Sequence, residues 1–155
     1  MKKNVLITKL TKTVSVFLLV VTAISCGSDD NPITPGIDKG DISIATGTFK
    51  GTITVYVPEE TAKEYFNAEV VVTKVSDSQL KVTPKSGQPY SVATPKTFNV
   101  TYSYAAGQSD LQSVTHVAGS PEGAFVYNHQ NKSLNVGTMQ QSANEIEFSF
   151  EGTKQ

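Results

Sequence analysis

Hydrophobic positions along this chain follow two different patterns. From Val14 to Ile24 they run together for 11 residues (VSVFLLVVTAI). From Phe49 onward they alternate with polar residues almost to the C-terminus. Phe49, Gly51, Ile53, Val55 and Val57 share one face, and Lys50, Thr52, Thr54 and Tyr56 share the other. That period of two predicts a half-buried strand. Phe98, Val100, Tyr102 and Tyr104 make a second such face. A third runs from Glu145 to Glu151, with three apolar residues inward and four polar ones outward.

Further strands are expected at Ala68–Val75, Gln79–Thr83, Leu111–Val117, Gly123–Tyr127 and Ser133–Met139, with a weak one at Tyr90–Val92. Turn chemistry separates them at Ser76-Asp77-Ser78, Ser86-Gly87, Gly119-Ser120-Pro121 and Asn128 to Asn131. One short helix is expected over Glu59 to Phe66, after Pro58. About eight short strands at this spacing predict an all-β domain over 48–155. An antiparallel up-and-down barrel is the first architecture and a β-sandwich the alternative. The length suits one compact core.

The uninterrupted apolar run has a different meaning. Lys2, Lys3, Lys9 and Lys12 precede it. A membrane-spanning helix needs roughly 20 apolar residues, so a run of 11 matches the central region of a secretory signal peptide. Residues 1–25 are therefore expected to be removed on export. Small residues then lead into Cys26, the one cysteine of the chain. A lone cysteine has no partner for an internal disulfide.

Ala23-Ile24-Ser25-Cys26 resembles a bacterial lipobox, and Gly27-Ser28-Asp29-Asp30 resembles the acidic export signal of Bacteroidota lipoproteins. The first resemblance implies acylation at Cys26, where two or more chains anchor stably and one does not. The second implies that Ser28, Asp29 and Asp30 direct the protein to the outer face of the outer membrane. A plain solvated linker is the alternative for those three. Residues 26–47, with Pro32, Pro35, Gly36 and Gly40, are expected to be a flexible lipidated tether.

After Cys26 the chain carries nine lysines, fourteen acidic residues and no arginine, for a formal charge of −5. Such a surface argues against nucleic acid as a partner. Without arginine there is no two-point grip on phosphate esters.

"GTFKGTITV" (Gly47 to Val55) and "FSFEGTKQ" (Phe148 to Gln155) together resemble the calycin-like, or lipocalin-like, lipoproteins of the Bacteroidota. Phe49 stands where lipocalins carry tryptophan, which this chain lacks. The resemblance implies a barrel whose first and last strands pair, with room for packed side chains or one small ligand.

Candidate chemistry is sparse. His116 and His129 lie 13 residues apart without ligands at metal spacing, and are expected to be ordinary histidines. Glu145 and Glu147 are expected on a solvated strand face. No nucleophile elbow is present, so neither catalytic residue, metal nor other cofactor is expected. Phe98, Tyr102 and Tyr104 are the candidate ligand-binding residues, because phenols in an apolar cavity orient a small molecule. Core packing is the alternative for them. Tyr56, Tyr65 and Tyr90 are a weaker aromatic set, a possible sugar-stacking platform.

The expected protein is thus a non-catalytic lipoprotein of the outer membrane, facing outward. Its barrel either binds a small apolar or amphiphilic ligand or serves as an interaction module, an accessory subunit of an outer-membrane uptake or adhesion complex. Cys26→Ala is expected to move the protein from the membrane to the soluble fraction. Replacing Asp29 and Asp30 by alanine should trap it on the periplasmic side. Wild-type protein that resists protease added to intact cells would overturn the outward placement.

Overall fold

The computed structural model describes residues 40–105 and 108–155. Eight antiparallel strands form a closed barrel in chain order. They are β1 (Gly47–Tyr56), β2 (Lys63–Ser76), β3 (Gln79–Pro84), β4 (Lys96–Ala105), β5 (Gln108–His116), β6 (Gly123–Asn128), β7 (Ser133–Thr138) and β8 (Glu147–Lys154). β8 pairs back onto β1 from Phe49↔Lys154 to Tyr56↔Glu147, so no strand edge is left open. The barrel, not the sandwich, is the architecture.

The period of two explains why the barrel has a core. Phe49, Ile53, Val55, Phe98, Phe125, Tyr127, Phe148 and Phe150 all point inward and are at most 1% exposed. Phe98 packs on Phe125 with ring centroids 5.7 Å apart, and Phe49 meets Tyr127 edge-on, also at 5.7 Å. A side chain without accessible surface adjoins no void as large as a water molecule, so these rings fill the middle of the barrel.

Each end is closed by one 3-10 turn. Ile42–Ala45 buries Ile42 and Ala45 at the end where the described chain begins, so the stretch expected as tether supplies two core residues. Asp41 caps that turn, accepting from the Ser43 amide at 2.9 Å and from the Ser43 hydroxyl. These bonds hold its carboxyl below the usual range. Lys154 closes the same end by donating to the Ile44 carbonyl at 3.0 Å. At the opposite end Pro89–Val92 buries Tyr90, whose hydroxyl accepts from the Glu69 amide at 2.9 Å.

Three local expectations change. The weak strand at Tyr90–Val92 is that 3-10 turn, since Pro89 fixes its first residue and Tyr90 has an interior to plug. The helix expected over Glu59 to Phe66 does not form. Glu59 takes a positive φ of 66°, and Lys63 to Tyr65 pair instead with Val55 to Ile53 of β1. The last strand starts at Glu147, leaving Glu145 in a loop.

The closing seam depends on two glycines. Gly51 and Gly152 face each other across β1 and β8. A Cβ on Gly51 would lie 2.0 Å from the Glu151 carbonyl oxygen, and one on Gly152 would lie 2.5 Å from the Lys50 carbonyl oxygen. Gly137 in β7 has nothing within 4 Å of an added Cβ. Gly51→Ala should therefore destabilise by about 1–3 kcal/mol, as overpacking does. Gly137→Ala should stay within about 0.5 kcal/mol of wild type. Urea midpoints test the pair, and equal shifts would sink the seam account.

Candidate functional site

Sequence-designated positions fall in three places. Cys26, Ser28, Asp29 and Asp30 lie outside the described residues, as does the Tyr104 side chain. Phe98 is fully buried in the ring stack and belongs to the core. Tyr102 is half-buried at the end closed by Ile42–Ala45, and packs against the core. Gly40 lies over it so closely that a Cβ there would overlap the Tyr102 ring, at 1.9 Å from Cε1. Phe98 and Tyr102 therefore have different surroundings. One supports the interior and the other receives the incoming chain.

The two histidines serve backbone and neighbour. His116 Nδ1 lies 3.3 Å from the Phe125 carbonyl oxygen, across the β5–β6 pairing. His129 Nδ1 lies 3.5 Å from the Tyr127 hydroxyl, whose pKa is pushed up by burial. Among the described residues no three His, Cys, Asp or Glu side chains gather as metal ligands. The tyrosine platform also separates. Tyr65 and Tyr90 pack together at 5.8 Å, with Tyr90 buried, and of the three only Tyr56 is well exposed.

Sequence reasoning missed the buried polar groups. Lys96 occupies an inward position of β4, on the same face as Phe98 and Val100, and is only 5% exposed. Its ammonium donates to Glu145 Oε2 at 2.6 Å. Glu145, expected to be solvated, instead ties the β7–β8 connection to the barrel and accepts from the Gln141 amide at 2.9 Å. Glu147 accepts from the Gln140 amide in the same loop. Glu122 is buried as well, with one carboxylate oxygen on the Asn99 amide, which in turn accepts from Gln79 at 3.0 Å. No sequence signal marks Glu122 or Lys96, because a strand pattern read locally assigns charged residues to water.

An open pocket lies at the barrel end opposite Ile42–Ala45. It holds about 260 Å³ and is lined by Val57, Tyr65, Pro89, Val92 and Ile146, with Glu60 and Lys63 at its edge. Those two form an exposed ion pair at 2.6 Å. The connections at this end also expose Val92, Val117 and Met139. Its wall is built mainly from apolar side chains, and the Glu60–Lys63 pair is its charged edge.

No family model, curated protein or solved structure matches this chain.

The Lys96–Glu145 pair predicts a pH dependence. The Glu145 carboxyl is held below the usual range, first by the Lys96 hydrogen bond and then by the Gln141 amide. Its stabilising share is present above the unfolded-state carboxylate pKa and is lost as pH falls through the lowered folded value. Glu145→Gln should therefore be less stable than wild type near pH 7, and the gap should narrow in acid. Urea unfolding at a series of pH values measures it. A gap that stays constant would refute the role of this pair.

Proposed function

We propose that this chain is a lipid-anchored, non-catalytic module of the outer membrane, facing the cell exterior, whose solid barrel recognises a partner with its outside. The filled interior carries this reading. Phe49, Phe98, Phe125, Phe148 and Phe150 occupy the volume in which a lipocalin-like barrel would hold its ligand. A packed interior supports an interaction module, such as an accessory subunit of an uptake or adhesion complex. The anchor is Cys26, with Ser28, Asp29 and Asp30 as the export signal. The turn Ile42–Ala45 closes one end of the barrel, and this reading assigns recognition to the opposite mouth and the strand flanks.

A small apolar or amphiphilic ligand is the second reading, and a different observation favours it. The mouth pocket at Val57, Pro89, Val92 and Ile146 is apolar, half-open and edged by an ion pair, which suits a small amphiphile.

Native mass spectrometry of the protein isolated from its own host separates the two. A bare mass, together with a surface crosslink to another outer-membrane component, is the expected result. A reproducible added mass that disappears on denaturation would overturn the interaction reading in favour of the ligand.

A further inference from the structure

The outer face of the closing seam is predominantly polar. β1 turns Lys50, Thr52 and Thr54 outward, and β8 sets Thr153, Glu151 and Ser149 directly opposite them. Two open grooves run over these residues. One, of about 540 Å³, is lined by Lys50, Thr52, Phe66, Asn67, Thr153 and Gln155. The other, of about 280 Å³, is lined by Thr52, Thr54, Glu64, Asn135, Ser149 and Glu151. Thr52 lines both, so the two shallow grooves adjoin at that residue and together make the seam channel.

Phe66 lines the larger groove opposite Thr52, and Tyr56 follows Thr54 on the outer face of β1, outside both grooves. Phe66 is 70% exposed and Tyr56 is 44% exposed, with the Tyr56 hydroxyl 3.3 Å from Ser149 Oγ. Phe66 owes its position to a bulge. The β1–β2 register shifts between Gly51↔Ala68 and Ile53↔Tyr65, so β2 sets Phe66 and Asn67 against Thr52 alone. Asn67 adopts φ 55°, a left-handed conformation that asparagine tolerates better than most residues. Tyr65 and Ala68 thereby both face inward, and Phe66 and Asn67 are both left outside. The barrel needs neither Phe66 nor its bulk for its own packing.

Hydroxyls, amides, one ammonium and two carboxylates beside the exposed Phe66 ring match one ligand chemistry. A sugar ring offers an apolar C–H face to an aromatic ring and neutral hydroxyls to neutral hydrogen-bonding groups. A carboxylate accepts from two adjacent sugar hydroxyls at once. Protein partners instead select a contiguous apolar centre, and this channel is polar along its length. Glu64 and Glu151 against the single cation Lys50 leave the channel net negative, which disfavours anionic polymers, and the chain has no arginine to hold sulfate or phosphate.

We propose that the outer face of β1 and β8 binds a neutral polysaccharide, with Phe66 as the stacking platform and Thr52 at the centre of the channel. This rests on the reading that the solid barrel recognises with its outside.

Affinity electrophoresis of the full-length chain, extracted in mild detergent, tests it. The gels carry soluble α-glucan, mixed-linkage β-glucan, xylan or mannan, with polygalacturonate as the anionic counterpart. At least one neutral polymer should retard the protein, and polygalacturonate should not. Phe66→Ala should weaken retardation about tenfold or more, the loss typical of a central aromatic contact. Phe66→Tyr should preserve it, and Thr52→Val should weaken it with the circular dichroism spectrum unchanged. The proposal is overturned by retardation with none of the neutral polymers, by retardation with polygalacturonate alone, or by retardation that neither Phe66→Ala nor Thr52→Val alters. Protein that fails here yet still crosslinks to an outer-membrane component would refute the glycan channel and leave the surface module standing.

Discussion

β8 must come back to β1, and most of the structure follows from that closure. An open sheet of this kind would leave two rows of unpaired amides and carbonyls, each a template for aggregation. Closure removes both rows, and it requires the backbones to approach at Gly51 and Gly152, where a Cβ would enter the opposite carbonyl. Once eight strands are closed, the interior has a fixed girth that side chains have to fill. Phenylalanines on β1, β4, β6 and β8, with Tyr127, supply that volume. Ile42 and Ala45 at one end, and Tyr90 at the other, complete it with short turns instead of longer loops.

A barrel packed in this way cannot use its interior for recognition without losing its core. Deleting a buried phenylalanine typically costs 3–5 kcal/mol, a large part of the net stability of a domain this size. Under the proposed reading, recognition is therefore left to the mouth and the wall. The mouth offers a small apolar pocket beside Pro89 and Val92. The wall offers the polar channel over the seam, with the exposed ring of Phe66 beside it. The same pairing of β1 with β8 that shuts the inside lines up Thr52, Thr54, Ser149 and Glu151 on the outside.

Charged groups show how far local rules reach. Glu145 belongs to an alternating stretch whose period places it in water, yet a buried ammonium from β4 holds it against the barrel. Lys96 and Glu145 are 49 positions apart, and no local pattern links them. Likewise, Glu59 to Phe66 carries helix-compatible residues after a proline, but β1 offers Lys63 to Tyr65 a complete row of pairing partners. Sheet pairing outweighs weak helix propensity in so short a segment. The candidate ligand set divides on the same principle. Inward parity is legible for Phe98 and Tyr102, whereas only the opposing strands decide whether the space before them is empty or full.

The sequence by itself determined the all-β class, a strand count of about eight, most of the strand positions and the inward face of three of them. Period-two alternation and turn residues act over a few neighbours, so they are visible in the chain alone. It also supplied the lipobox-like run to Cys26 and the acidic residues after it, because such signals are linear. Only the tertiary structure decided that the sheet closes, that the interior is solid and that Lys96 and Glu122 are buried. It alone placed the bulge that leaves Phe66 outside, beside the channel over β1 and β8. Each of these depends on residues brought together from distant strands, and their contact energies have no counterpart in local sequence.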